Sequence, residues 1–165
     1  MKAVVDTAVL VSAALAIAAN NAAHSRLLTE RGLNEDSFEL VTSEPMLREL
    51  SDVLSRSQFG LSTDQTIGFI ERVAAAATFV AIRGLAMGCR DPRDDKVLET
   101  AMNANADFVV TRDRDLHDAR ARYSIEKVGI GIRSRPIRVV GVRAFLEALD
   151  APDFSALIAA ALVEV

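Results

Sequence analysis

Carboxylates recur where this sequence passes from apolar runs into turns. Ala3-Val4-Val5 leads into Asp6-Thr7, and Phe108-Val109-Val110 leads into Thr111-Arg112-Asp113-Arg114-Asp115. Between them lie Asp91-Pro92-Arg93-Asp94-Asp95 and a helical pattern that carries Glu49. If the apolar runs are parallel strands, their carboxyl ends meet at one edge of a sheet, where open α/β sheets bind ligands. Carboxylates gathered there raise one another's pKa unless a cation enters. The cation suited to an all-oxygen donor set is hard and divalent, Mg²⁺ or Mn²⁺. The chemistry implied is metal-dependent work on phosphates.

Each acid also has an ordinary structural role open to it. Asp6 follows a strand and precedes a helix, where Asp is a good N-cap. Glu49 shares a helix face with Met46 and Val53, so it is either a ligand or a stripe-edge residue paired to an arginine such as Arg48 or Arg56. Asp91 fits an N-cap with Asp94 at the third helical position, on the face of Val97, Leu98 and Ala101. Asp95 lies about 100° further round that helix and is the weaker candidate. Of Asp113 and Asp115, one can cap the following turn and the other remains over. Thr7, Ser43 and Thr111 stand beside the acids, where a hydroxyl either orients a carboxylate or shapes a turn. Arg90, Arg93, Arg112 and Arg114 flank the acids, either as phosphate contacts or as balancing surface charge.

The elements that must position these residues read as alternating strands and helices. Strands are predicted at 3–5, 38–41, 79–82, 108–110 and 137–140. Helices are predicted at 8–19, at 24–31 with Gly32 as its stop, from Pro45 to about Ser55, at 66–77, 94–105, 115–122 and 142–149. Ser62-Thr63-Asp64-Gln65 reads as a capping box. Residues 125–131 are ambiguous, and 154–163 form an amphipathic last helix. The pattern predicts an α/β fold, a three-layer α/β/α sandwich around a mostly parallel sheet. One domain over 1–150 is expected, with a helical extension over 151–165 packed on it.

Composition narrows the chemistry. The chain has 165 residues, half of them apolar, and a formal net charge of −4. Nucleic acid is therefore not gripped by a bulk positive field, although a local patch is allowed. The lone Cys89 permits no internal disulfide, and one cysteine with His24 and His117 cannot build a zinc site. There is no Gly-rich phosphate loop with a lysine and no Gly-x-Ser-x-Gly elbow. Neither a secretory leader nor a membrane span is expected, and the single cysteine fits a reducing cytoplasm, which is the predicted location.

These segments, in this order, resemble the PIN-domain family, closest to the branch of toxin components of toxin–antitoxin systems, the VapC-like ribonucleases. The resemblance rests on Val4-Val5-Asp6-Thr7 through Ser12, Thr42-Ser43-Glu44 through Glu49-Leu50, Asp91-Pro92-Arg93-Asp94-Asp95 through Ala101, and Ala106 through Leu116. It implies a single-stranded RNA endonuclease whose Mg²⁺ or Mn²⁺ is held by acids matching here as Asp6, Glu49, Asp94 and Asp113. Thr7, Thr111, Arg112 and Arg114 are expected to serve the substrate, with Asp95 and Asp115 as possible additions to the acid set. A cognate antitoxin and a homodimer are the implied partners. Ala8 stands where the family usually carries an asparagine that supports the metal site. The rival expectation is therefore a module that binds RNA or an antitoxin without cutting. A phosphatase of the haloacid dehalogenase type and a receiver domain are disfavoured, since Ala8 and the single Asp6 break their patterns.

Overall fold

Val5 pairs with Val110 in the middle of a sheet, and both are apolar residues that immediately precede polar turns. The computed structural model describes residues 1–122 and 137–151. Five parallel strands form that sheet: β1 (Lys2–Val5), β2 (Glu39–Thr42), β3 (Thr78–Phe79), β4 (Phe108–Val110) and β5 (Arg138–Val140), in the order β3-β2-β1-β4-β5. The chain builds outward from β1 to β3 on one side, then crosses back to lay β4 on the other flank of β1. The crevice between β1 and β4 is thus the topological switch point, where strand ends diverge and ligands find room.

Among the described residues, seven α-helices pack with the sheet: α1 (Thr7–Ala18), α2 (His24–Leu33), α3 (Glu44–Leu54), α4 (Thr63–Ala76), α5 (Asp95–Asn103), α6 (Arg114–Arg122) and α7 (Val142–Asp150). Strand side chains alternate between two cores, as a period of two requires. Ala3, Val5, Phe108 and Val110 face a core shared with α1, α2, α3, α4 and α7. Val4, Val41, Val109 and Val139 face a second core with Val97, Leu98 and Ala101 of α5 and Leu116 of α6. Both faces are covered, so the strands read as unbroken apolar runs, and the three-layer α/β/α expectation holds.

Phe145 of α7 locks the larger core. It is fully buried and meets Phe38 and Phe108 edge-on, with ring centroids 5.0 and 5.1 Å away. Edge-to-face pairs of this kind add about 0.5–1.5 kcal/mol each beyond area burial. The same Phe38 ring explains Gly32. A Cβ there would sit 2.7 Å from Phe38 Cζ. Gly32 is therefore a buried packing position inside α2, which runs on to Leu33, and not the helix stop expected from its type.

Other boundaries moved for local reasons. The capping box exists, with Ser62 Oγ accepting from Gln65 N at 3.1 Å and Gln65 Oε1 accepting from Ser62 N at 2.9 Å. It starts α4 at Thr63, ahead of the expected 66. The third strand is only two residues long, not four, and its exposed Phe79 marks it as a sheet edge. Asp91 caps a 3₁₀ turn at Pro92–Asp94 rather than the helix itself, and Asp94 occupies the N-cap position of α5 rather than its third residue. Asn105 adopts a left-handed conformation (φ 57°) just after α5, which ends at Asn103. The ambiguous segment 125–131 and the expected helix 154–163 lie outside the described residues. Among the described residues no helix is long and apolar enough to cross a membrane.

Candidate active site

The β1–β4 seam delivers the first two acids. Asp6 leaves β1 with its N–H donating to Val110 O at 2.9 Å, which extends the sheet by one bond. Its side chain does not cap α1. Instead Asp6 Oδ2 accepts the Thr111 hydroxyl at 2.7 Å. Thr111 Oγ1 in turn accepts Asp113 N at 2.9 Å, and Asp113 Oδ1 accepts Asp115 N at 2.8 Å. Asp113 is therefore the residue that caps the turn into α6. Asp6 is only 8 % exposed, and burial pushes its carboxyl above the usual range. The Thr111 hydrogen bond opposes that rise, while the charges of Glu49 and Asp113 add to it.

Glu49 reaches the same place from α3. Met46, Leu50 and Leu54 anchor that helix in the cores, which turns the neighbouring Glu49 toward the sheet edge. Its two oxygens are both engaged: Thr7 Oγ1 donates to Oε2 at 2.6 Å, and Lys96 Nζ donates to Oε1 at 2.9 Å. The cation beside Glu49 is thus Lys96, and neither Arg48 nor Arg56. Arg48 pairs with Glu44 one turn back along the exposed face.

Asp94 enters from the start of α5. Burial first, then the charges of Asp113, Asp91 and Asp6, push its carboxyl up to about 6, against a smaller opposing effect of Lys96. Four acids from four segments, Asp6, Glu49, Asp94 and Asp113, accordingly feel one another at the carboxyl edge of the sheet. Asp91 stands apart: the guanidinium of Arg93 grips it at 2.7 Å and holds its carboxyl down at about 2.

The remaining candidates divide by contact. Thr7 and Thr111 are buried and spend their hydroxyls on Glu49 and Asp6, which makes them holders of carboxylates. Asp95 is buried and accepts Cys89 N at 2.9 Å, tying the loop before α5 to that helix. Asp115 bridges Arg90 at 3.5 Å. Arg112 is exposed and donates to Ser12 Oγ at 3.2 Å, and Arg114 is exposed at the start of α6. The Arg90 and Arg93 side chains are 82 % and 85 % exposed, so all four guanidiniums stand at the surface on the segments that carry the acids.

The match with known families follows this geometry. A family profile described as PIN domain matches residues 2–115. The chain belongs to the PIN-domain family. No curated protein and no solved structure matches it. The span matched in this PIN domain takes in β1 through the start of α6, and so all four acids. PIN domains are generally nucleases that use divalent metal ions.

Whether these residues suit such an ion can be judged from the donors. Among the described residues, no three acid, histidine or cysteine side chains stand in a ready-made coordination cage. In chemistry and charge, however, the set fits a hard divalent cation: its donors are oxygens, and burial together with the charges of neighbouring acids lifts Asp6 and Asp94.

Two contributors were missed on reading the sequence. Lys96 carried no distinguishing local signal beyond its place after Asp94-Asp95. Glu99, fully buried, accepts the N–H groups of Arg83 at 2.6 Å and of Gly84 and Leu85 at 2.9 Å. It pins the loop that leads to Asp91 and Asp94. Its position next to Leu98 on the apolar face of α5 was the available hint.

Proposed function

We propose that this PIN domain is a Mg²⁺- or Mn²⁺-dependent endoribonuclease that hydrolyses phosphodiester bonds in single-stranded RNA, and that it acts as the toxin of a toxin–antitoxin pair in the cytoplasm. One observation carries the reading: Asp6, Glu49, Asp94 and Asp113 converge on the carboxyl edge at the switch point, around a buried Asp6 whose charge has no cationic partner among the described residues.

In this reading the four acids form the basin that takes the cation, with Asp6 central because it is the most enclosed of them. The ion, when bound, lowers the pKa of water and neutralises charge on the phosphate. Thr111 and Thr7 fix the rotamers of Asp6 and Glu49, so little reorganisation is needed when the substrate arrives. Arg90, Arg93, Arg112 and Arg114 at the surface attract the RNA backbone and orient it toward the acids. Asp95 and Asp115 support the site indirectly, through Cys89 N and Arg90. The antitoxin docks over this acidic edge, and two copies of the chain form the toxin.

A second reading has a specific motive. Ala8 is exposed in the first turn of α1 and offers no amide next to the acids. A module that binds RNA or an antitoxin without cutting would tolerate that residue.

The deciding experiment is cleavage of a labelled single-stranded RNA with Mn²⁺ present. Cleavage abolished by EDTA and by Asp6→Asn is expected, with a loss of at least about 100-fold. Activity that survives both treatments sinks the nuclease reading. RNA binding without cleavage in any divalent ion favours the second.

A further inference from the structure

The four acids at the sheet edge do not share their partners evenly. Among the described residues, Glu49 is the one of the four with a cation of its own. Lys96 Nζ lies 2.9 Å from Glu49 Oε1 and also donates to Arg93 O at 2.7 Å. The Lys96 side chain is 19 % exposed and that of Glu49 35 %, so the pair is far less screened than a surface ion pair. The other Glu49 oxygen is taken by Thr7 at 2.6 Å. Asp94, by contrast, accepts no hydrogen bond among the described residues, and Asp113 commits only Oδ1 there.

Resting on the nuclease reading above, we propose that Lys96 is a built-in cation filling the Glu49 side of the acid basin, so that the basin takes one divalent ion, held by Asp6, Asp94 and Asp113.

The physical reasons are three. A second divalent ion at Glu49 competes with Thr7 and Lys96 for the same two oxygens and crowds a mostly buried ammonium, which is costly if it loses its partner. The ammonium repels any cation that approaches from that side. The uncommitted carboxylate oxygens, among the described residues, lie on the other acids. Lys96 is therefore a positioning residue. It fixes Glu49 through one oxygen while Thr7 fixes it through the other, and its anchor on Arg93 O ties both to the turn that carries Asp94.

The test counts Mn²⁺ ions bound to the full chain by isothermal titration calorimetry and Mn²⁺ paramagnetic resonance. The expected result is one ion for the wild type, one for Lys96→Arg, two for Lys96→Met, and one for Glu49→Gln. Two ions on the wild type, one on a folded Lys96→Met, or none on a folded Glu49→Gln overturns the inference. Circular dichroism verifies folding. If Lys96→Met does not fold, the wild-type and Glu49→Gln counts still decide. A wild type that binds no Mn²⁺ removes both this inference and the nuclease reading. The expected counts without any RNA cleavage support the inference and remove only the nuclease reading.

Discussion

The Thr111 hydroxyl donates to Asp6 Oδ2 at 2.7 Å and joins residues 105 positions apart in the chain. The bond exists because β4 lies directly beside β1, with Val110 in register with Val5. The same Thr111 oxygen accepts Asp113 N at 2.9 Å. One buried hydroxyl thus holds two members of the acid set.

Replacing that hydroxyl tests its role. Thr111→Val keeps the shape but leaves Asp6 buried without its donor and Asp113 N without its acceptor. Urea unfolding should show a loss of about 2 kcal/mol. RNA cleavage should fall about tenfold or more, because Asp6 loses its fixed orientation. A variant as stable and as active as the wild type would show that Thr111 does not position Asp6.

Asp94 makes the metal-free protein pH-sensitive. Its carboxyl is raised from 3.8 to about 6 in the folded chain. Between those values the folded state binds more protons than the unfolded one, so stability falls as pH rises through the window. In EDTA, the wild type should lose several degrees of melting temperature between pH 4 and pH 6 relative to Asp94→Asn. Mg²⁺ or Mn²⁺ should restore much of that difference at neutral pH by binding the folded state. Parallel melting curves for the two proteins across this range would contradict the raised pKa of the Asp94 carboxyl.

Glu99 should matter more for structure than its surface-type side chain suggests. Glu99→Gln replaces one acceptor oxygen by an amino group that faces backbone N–H donors at Arg83–Leu85. A destabilisation of about 2–3 kcal/mol is expected in urea. Hydrogen exchange at residues 83–85 should quicken more than in β1 or β4. A change below about 0.5 kcal/mol would be that of an ordinary surface position and would exclude this anchoring role.

Much of the architecture was legible before folding. The runs at 3–5 and 108–110 became β1 and β4 with only Lys2 added, because short β-branched segments between turn residues have few alternatives. The helices at 8–19, 45–55 and 142–149 appeared within a residue or two of their expected ends. Where reading failed, the cause was usually a neighbour distant in sequence. Gly32 resembles a helix stop, yet the Phe38 ring decides that only glycine fits inside the turn. Asp6 resembles a cap, yet Thr111 draws its carboxylate away from the helix.

The sequence alone determined the α/β class, because strand and helix periods are local properties of the chain. It also determined that carboxylates follow the strands, within the span 2–115 that the PIN-domain profile matches. The tertiary structure alone decided which partners those carboxylates have. Strand order sets β4 against β1, so Thr111 serves Asp6; the packing of α5 beside α3 brings Lys96 to Glu49, 47 positions away. The physical reason is that a carboxylate's partner is chosen by proximity within a few ångströms, and proximity between distant segments exists only once strands have paired and helices have packed.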